Sequence, residues 1–513
     1  MLAYIKEITQ TMNLPNPLLL FPCAVIFLIW YYLHVPWSLP NLPRIPFYVS
    51  IIGLWSSMGQ DEIYERWLRK PLESHGAVLI WFAGRWSILI TKPEWLTDMF
   101  RNEDLYAKAG SQKKIPWSVI ATLVGDNIIN AHGENWKLYT AIMKPGLQKR
   151  HFDVQPLVRK SKRFVDKLVE EQRLVSADGS DGKGIVANHY VQQWAVDVMG
   201  VSFLDLDLQA LEKPLNAVRL ESIQSVIKGI LFRPLFFNFP DLDRFPWLFN
   251  SRKFAFHIMH EFGDRLVDAV HNKIDSKIDK LPGDDDMVVH MLMRARREGR
   301  LTEKQYRDNL KIVFLTAHEN AQQLVNSMFW QLGTLPDAQQ KLRDEIRSAN
   351  CTHEALTNLP YLTATIYELL RLYPPVSQLI NRVTLRDAQL GGKVAIPKGT
   401  FVGWNAYGVH VNPAIWGPDA MEFRPERWGT TVNEMHARFR RDTVRGTYIP
   451  FNAHSRKCLG QGFVLLQMRV LLAELIGRVK WRVEEGYQLK MTPGGIMAPL
   501  GCKVVLEEVE KSA

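Results

Sequence analysis

One cysteine lies in a polar loop near the end of the chain. The stretch FNAHSRKCLG, Phe451–Gly460, contains Cys458, one of only four cysteines in 513 residues. The sequence GQGFVLLQMRVLLAELIG begins at its last residue and has an amphipathic helix pattern, which predicts that the thiol lies at a helix N-terminus. The helix dipole and free N–H groups there favour a thiolate, and Arg456 and Lys457 add positive charge. Cys458 is therefore a candidate nucleophile or metal ligand.

The residues around Cys458 leave its role open. A nucleophilic cysteine needs a general base, and nothing in the sequence orients His454, four residues upstream. A buried cysteine without chemistry is the simpler interpretation. The other cysteines, Cys23, Cys351 and Cys502, form neither a CxxC pair nor a dense disulfide pattern. This spacing excludes a cysteine zinc site and indicates a reducing compartment for the bulk of the chain.

Two charged motifs precede the cysteine loop. In YELLR, Glu368 and Arg371 are three residues apart and therefore share one face of a predicted helix. Such pairs usually lie at the surface, but the apolar neighbours in this motif favour burial. The second motif, FRPERW, spans Phe423–Trp428 and contains Arg427. By itself it predicts a loop whose aromatic side chains pack on the core.

The elements that must position these motifs are mainly helical. Residues Thr302–Gly333 form one long helical pattern with no glycine or proline before its end. The YELLR motif lies in a second helical pattern, which Pro374 and Pro375 close. Residues 391–409 alternate apolar and polar side chains around turns, as in a small sheet. The expected fold class is mainly α with a minor β-sheet region.

The N-terminal part contains one long apolar segment. Residues Leu18–Val35 carry no charge over 18 positions, and a bilayer core needs about 20 apolar residues, with roughly 17 as the lower limit. Aromatic residues gather at the C-terminal end of this segment, where they suit the lipid interface. A cleaved signal peptide is the alternative, but no A-x-A site follows. The pattern predicts a single N-terminal transmembrane helix over about residues 18–35.

A proline-rich stretch separates this segment from the rest of the chain. Prolines at 36, 40, 43 and 46 predict a stiff, extended spacer. We therefore expect a membrane anchor over residues 1–36, a hinge over 37–46 and one large domain over 47–513. The net charge of +10 favours an acidic partner or an anionic membrane surface. Nucleic acid is not expected, because the basic residues are scattered among acidic ones.

The motifs taken together resemble the cytochrome P450 family. Glu-x-x-Arg, Pro-Glu-Arg-Trp and Phe-x-x-x-x-Arg-x-Cys-x-Gly follow one another in the last third of the chain. The anchor, the hinge and the long helix fit the same family, so the resemblance covers essentially the whole chain. It implies the cytochrome P450 fold and a haem b cofactor whose iron takes an axial thiolate from Cys458.

The resemblance also implies roles for the other motif residues. Glu368, Arg371 and Arg427 match the buried charge network that braces the haem-binding loop. The positions implied to bind the cofactor are Trp136, Arg382, Phe451 and Arg456. Two haem propionates need cationic donors, which suits the arginines.

The sequence departs from the family pattern at three places. His454 stands where a glycine is expected, and Thr140 stands where an arginine would give the propionates a further cation. In TAHEN, Thr316–Asn320, Asn320 occupies the position of the family's proton-relay threonine. An amide can donate a hydrogen bond but is a poor proton relay. Glu319 and Asn320 are the candidate catalytic residues.

The predicted function is a membrane-anchored haem-thiolate monooxygenase of the microsomal, eukaryotic type, with a fungal role in secondary-metabolite biosynthesis. It would insert one oxygen atom into an apolar small molecule, using electrons from NADPH through NADPH–cytochrome P450 reductase. Segments 108–120, 226–239 and 376–380 match the family's pocket lining. The expected location is the endoplasmic reticulum membrane, with the catalytic domain facing the cytosol. One alternative is oxidative coupling of phenol or indole radicals, and another is a non-catalytic haem-binding membrane protein.

Overall fold

The structure is a computed structural model, and it describes most of the chain in nine ranges. These are residues 17–56, 58–149, 152–177, 182–212, 226–227, 229–231, 233–275, 287–348 and 353–509. The chain divides into two compact units, Met1–Asn41 and Leu42–Ala513.

The first unit contains a helix at the position of the predicted membrane span. Helix α1, Pro17–Leu33, is 17 residues long and includes Pro22. Across the described ranges, no helix combines the length and apolar character needed to cross a membrane.

The second unit is mainly helical, as predicted, with small sheets. The helices of its first half are α2 Tyr48–Trp55, α3 Gln60–Ile63, α4 Arg69–His75, α5 Pro93–Arg101, α6 Ser111–Lys114, α7 Val119–Val124, α8 Glu134–Leu147, α9 Gln155–Ala177, α10 Asn188–Phe203, α11 Pro234–Asn238, α12 Asn250–Ile274 and α13 Val288–Arg297. The helices of its second half are α14 Glu303–Gly333, α15 Pro336–Ser348, α16 His353–Leu356, α17 Pro360–Leu372, α18 Ala406–His410, α19 Pro413–Trp416, α20 Val432–Val444 and α21 Gln461–Arg478. A π-helical turn, Tyr64–Leu68, joins α3 to α4, and 3-10 turns include Pro240–Arg244, Pro246–Leu248, Pro425–Trp428 and His454–Arg456. The strands are β1 Ala77–Phe82, β2 Arg85–Ile90, β3 Tyr106–Lys108, β4 Gln378–Thr384, β5 Ala388–Leu390, β6 Val394–Ile396, β7 Phe401–Asn405, β8 Val479–Val483 and β9 Val504–Glu508.

The largest sheet has five strands in the order β1-β2-β7-β4-β3. Strands β1 and β2 form a hairpin whose two loop residues, Ala83 and Gly84, both have positive φ, as a type I′ turn requires. The β4–β7 pairing shifts register between Ile380 and Arg382. On its other edge β4 pairs with β3, and this pairing sets Arg382 directly opposite Lys108. The sheet thereby brings two basic residues from distant parts of the sequence onto one face.

The long helix α14 runs through the core of the unit. Thr302 and Gln305 form a capping box at its N-terminus, which satisfies backbone N–H groups that would otherwise lack partners. Gln322 and Asn326 both donate to the side-chain oxygen of Asn188 at the start of α10, at 3.0 and 2.7 Å. Helix α14 therefore has a fixed position from which Thr316, Glu319 and Asn320 face the site described next.

Candidate active site

A cavity of about 960 Å³ lies between the cysteine loop and helix α14. Cys458 lines one side of it, and Thr316, Glu319 and Asn320 line another. All three segments predicted to line the pocket contribute side chains. The apolar ones include Ile115, Ile120, Leu231, Phe236, Phe237, Val376, Leu379 and Ile380. The sequence motifs and the predicted pocket thus meet at one place.

The cysteine loop is a tight turn closed by the backbone. The N–H of Cys458 donates to the carbonyl oxygen of Phe451 at 2.9 Å, which joins the two ends of the loop. Asn452 and His454 have φ of 61° and 56°, in the left-handed region. His454 thus stands where the family pattern has glycine and carries a Cβ in a conformation that glycine adopts without strain. Asparagine and histidine are among the residues that tolerate this conformation best.

The Cys458 thiol faces the cavity at the start of α21. The N–H groups of Gly460 and Gln461 interact with the sulfur and, together with Lys457, act to lower its pKa. Desolvation by the surrounding protein is the larger effect and raises the pKa of the thiol above its ordinary value, although the side chain itself is exposed toward the cavity. The helix N-terminus and Lys457 thus act in the predicted direction, and desolvation opposes them.

The predicted charge network of Glu368, Arg371 and Arg427 is buried, and its carboxylate accepts hydrogen bonds from several donors. Arg371 forms a bidentate pair with Glu368, with Nε–Oε2 at 2.9 Å and Nη2–Oε1 at 2.7 Å. The Nε of Arg427 donates to the same carboxylate at 2.8 Å, and the indole of Trp428 donates to it at 3.0 Å. The backbone N–H of Arg424 adds a fifth donor at 3.0 Å. Five donors to one carboxylate compensate the cost of burying it.

His410 connects this network to the cysteine loop, and sequence reasoning did not identify it. Its Nε2 accepts from the N–H of Ile449, two residues before the loop, at 2.8 Å. Its Nδ1 therefore carries the proton, which it donates to the carbonyl oxygen of Arg371 at 3.1 Å. Burial and, to a smaller degree, the charge of Arg371 lower the pKa of His410 to about 3. The imidazole is thus a neutral bridge, but no motif distinguishes it in the sequence.

Two of the predicted cofactor-binding arginines converge on one carboxylate. Glu103 pairs with Arg382 through Oε2 and with Arg456 through Oε1, both at 2.8 Å. Burial alone would raise the pKa of Glu103, but the arginines outweigh it and the net pKa is lowered. Arg456 also lies 4.6 Å above the ring of Trp136, a third predicted residue. Sequence reasoning missed Glu103, since an acidic residue in a short connecting loop gives no signal.

The candidate catalytic residues lie on the part of α14 that borders the cavity. The Asn320 side chain donates from Nδ2 to the carbonyl oxygen of Thr316 at 3.2 Å. Its Oδ1 is buried without a hydrogen-bond partner in the described part of the chain. His318 is buried and packs edge-on against Phe314 at 5.1 Å, away from the cavity lining. Glu319 therefore lines the pocket from α14 as an ionisable group, beside the amides of Asn320 and Gln323.

The residues present fit haem b. Iron in this cofactor needs an axial ligand, and the Cys458 sulfur faces a cavity large enough for a flat macrocycle. The two propionates need donors, and Nε and Nη2 of Arg382 are buried with no partner among the residues the structure describes. Such orphaned donors are costly unless a ligand satisfies them.

Comparison with known proteins gives the same family. The model of the family described as "Cytochrome P450" matches residues 40–505. The chain is 72% identical over 476 residues to cytochrome P450 monooxygenase xanG of Aspergillus fumigatus, covering 92% of this chain and 88% of the relative. It is 34% identical over 495 residues to cytochrome P450-DIT2 of Saccharomyces cerevisiae, covering 95% and 98%. Cytochrome P450 71A16 of Arabidopsis thaliana is 26% identical over 459 residues, covering 87% and 88%. The chain belongs to the cytochrome P450 family and is a haem-thiolate monooxygenase.

Proposed function

We propose that this monooxygenase inserts one oxygen atom from dioxygen into an apolar small molecule during secondary-metabolite biosynthesis in a fungus. The observation that carries the proposal is the cavity, which has the Cys458 sulfur on one side and apolar side chains from three segments around it. The 72% identical Aspergillus relative, which is named a monooxygenase, supports the fungal assignment. Family membership implies a redox partner, and we propose NADPH–cytochrome P450 reductase for this role.

Each motif residue has a proposed task in this function. Cys458 ligates the iron, while Trp136, Arg382, Phe451 and Arg456 hold the macrocycle and its propionates. The bound haem supplies oxygen activation. Phe451 holds the loop closed through its carbonyl oxygen, and this fixes the direction in which the sulfur points.

Proton delivery falls to Glu319 in this proposal. The family's threonine hydroxyl can both accept and donate through one atom, whereas the Asn320 amide donates one N–H of Nδ2 to Thr316 and accepts only at Oδ1. An amide does not ionise, so it can orient a donor without passing a proton on. Glu319 is the adjacent ionisable group that lines the cavity and can exchange protons with water.

Oxidative coupling of phenol or indole radicals at the same haem site is the second candidate. Coupling removes one hydrogen atom from each of two substrate molecules, whose radicals then join. Dioxygen is the oxidant, and both of its oxygen atoms leave as water with two electrons from NADPH, so no oxygen atom enters the product.

Turnover under isotopically labelled dioxygen separates the two reactions. Metabolites that accumulate on deletion of the gene provide the substrates. Oxygen insertion predicts label in the main product, whereas an unlabelled dimer would establish coupling. Unlabelled monomeric product with NADPH consumed would contradict both candidates.

We also propose that residues 1–36 anchor the enzyme to the endoplasmic reticulum membrane, with residues 37–46 as a hinge and 47–513 as the catalytic domain in the cytosol. The support is helix α1, where Phe21, Ile26, Leu28 and Tyr31 are all more than half exposed. Contiguous exposed apolar surface of this kind requires a lipid or protein cover. Deletion of residues 1–36 should shift the enzyme from the membrane pellet toward the supernatant while retaining haem. Complete retention in the pellet would contradict the anchor.

A further inference from the structure

A buried lysine interrupts the apolar wall of the cavity at the last residue of helix α6. Lys114 is only 3% exposed, and its side chain lines the same cavity as the Cys458 sulfur. An ammonium in such surroundings is costly unless an anion or several hydrogen bonds compensate it. Lys114 lies in a segment predicted to line the pocket, but no sequence motif gives its charge a task.

The contacts of Lys114 do not neutralise its charge. Its ammonium donates to the carbonyl oxygen of Phe82 at 3.1 Å, which occupies one of its three N–H groups. It lies 5.1 and 5.0 Å from the rings of Phe82 and Phe401, which stabilise a cation but accept no proton from it. In the described part of the chain, no carboxylate forms an ion pair with it. Burial and, to a smaller degree, the charge of Arg85 lower the pKa of Lys114 to about 7.

Other buried basic side chains of the cavity wall belong to groups that Lys114 does not join. Arg252 forms a bidentate pair with Asp243, with Nε–Oδ1 at 2.6 Å and Nη2–Oδ2 at 2.8 Å. Lys108 lies within the field of Arg456, in the region proposed to hold the haem propionates. Lys114 contacts neither group, so its charge remains available to another ligand in the cavity.

The wall beside Lys114 is aromatic. The ring of Phe82 packs edge-on against that of Phe237 in α11, with centroids 5.5 Å apart, and both rings line the cavity. A ligand that reaches the ammonium therefore lies against aromatic side chains, which pack well against another ring. An acidic oxygen on that ligand would accept from the N–H groups that Phe82 leaves unused, and hydrogen bonds with an ionised partner are the stronger ones.

We propose that Lys114 binds the acidic oxygen of an aromatic substrate, either a carboxylate or a phenol, and thereby orients the substrate in the cavity that contains the Cys458 sulfur. The inference rests on the proposed function and narrows its substrate class. The two oxygen types share the same chemistry toward the ammonium, and the probes below separate them.

Equilibrium dialysis against the purified holoenzyme measures binding without turnover. The probes are two pairs of similar size, phenylpropionic acid with its methyl ester and para-ethylphenol with para-ethylanisole. The wild type should bind the acidic member of one pair more tightly than its methylated counterpart, and that pair identifies the oxygen type. Lys114→Met should weaken binding of the preferred acid about 10-fold to 100-fold, the range for a hydrogen bond to a charged group, and leave the methylated probe unchanged.

Three variants control for charge and folding. Lys114→Arg keeps the cation and should retain the preference for the acidic probe. Lys113→Met removes the same charge from the neighbouring lysine, which is exposed, and should bind both members of the pair as the wild type does. If Lys114→Met does not fold, Lys114→Gln replaces it, because glutamine keeps a donor for the carbonyl of Phe82 but carries no charge.

Equal affinities of the wild type for the acidic and methylated members of both pairs, or binding of neither acid, would overturn the proposal. Equal losses for both members of a pair in Lys114→Met would also overturn it, because they would assign Lys114 to packing alone. Failure of the proposed function looks different. The wild type would then discriminate between the probes in dialysis but yield neither labelled product nor dimer in the turnover experiment with labelled dioxygen.

Discussion

Replacing Glu368 by glutamine should destabilise the enzyme far more than the loss of an ordinary ion pair. The carboxylate is fully buried and accepts from Arg371 twice, and from Arg427, Trp428 and the Arg424 backbone once each. Glutamine keeps the size of the side chain but removes the charge and turns an NH₂ group toward N–H donors. Two buried guanidinium groups lose their counter-charge, and breaking a buried pair in this way costs about 3–5 kcal/mol.

Urea unfolding of the holoenzyme, followed by tryptophan fluorescence and by haem absorbance, measures this loss. Glu426→Gln is the matched control, because its pair with Lys341 has both side chains more than half exposed. Exposed pairs contribute roughly 0.2–1 kcal/mol, so the control should lie close to wild type. A Glu368→Gln variant within about 1 kcal/mol of the control would refute the idea that this network braces the fold.

Three further predictions concern pH, electron delivery and proton transfer. Burial lowers the pKa of His410 from about 6.5 in the unfolded chain to about 3 in the folded one, so the stability that it confers is complete above pH 6.5 and is lost as the pH falls toward 3. Between pH 6 and 4 the free energy of unfolding of the wild type should fall by about 1.4 kcal/mol per pH unit more than that of His410→Gln. Parallel curves of stability against pH for the two proteins would contradict this. Arg440, Arg441 and Arg445 are exposed just before the cysteine loop. If they dock the reductase, the rate at which the reductase reduces the haem should fall as the salt concentration rises, because salt screens exposed charges. A reduction rate that does not change with ionic strength would contradict a docking role for these arginines. If Glu319 delivers the proton, Glu319→Gln should slow turnover by about 10²–10⁴-fold while Asn320→Thr preserves or improves the coupling of NADPH to product; unchanged turnover in Glu319→Gln would assign delivery elsewhere.

The sequence predicted the roles of only some of the basic residues that precede the cysteine loop. From the sequence, the basic run Arg438, Arg440, Arg441 and Arg445 is predicted to contribute to the docking of an acidic reductase. In the structure Arg438 instead donates to the carbonyl oxygen of Arg427 and lies over the rings of Trp416 and Trp428, at 5.6 and 5.5 Å. Residues of one basic run on a helix point in different directions, and the tertiary packing decides which of them contacts buried side chains, as Arg438 does with Trp416 and Trp428.

Local patterns predicted the elements that depend on local physics. Helix α14 follows from an uninterrupted helical pattern with a capping box, and the end of α17 follows from Pro374 and Pro375. The YELLR spacing predicts that Glu368 and Arg371 meet, because residues three apart share a helix face. The order of motifs along the chain was specific enough to indicate the family.

Local sequence patterns could not predict contacts between residues that are far apart along the chain. Glu103 is separated along the sequence by 279 residues from Arg382 and by 353 residues from Arg456. Nothing local distinguishes it from a surface acid. The buried state of Lys108 depends on the β3–β4 pairing, and the raised thiol pKa of Cys458 depends on how much protein surrounds it. Burial is a property of the fold, so the direction of these shifts required the structure.

The axial ligand is the central claim, and Cys458→His tests it most directly. The reduced carbon-monoxide complex of a haem-thiolate protein has a characteristic absorption band that depends on the sulfur ligand. The wild type should show this band, and the variant should lose it while still binding haem. Retention of the band in Cys458→His would mean that another residue ligates the iron, and it would contradict the assignment of the cysteine loop.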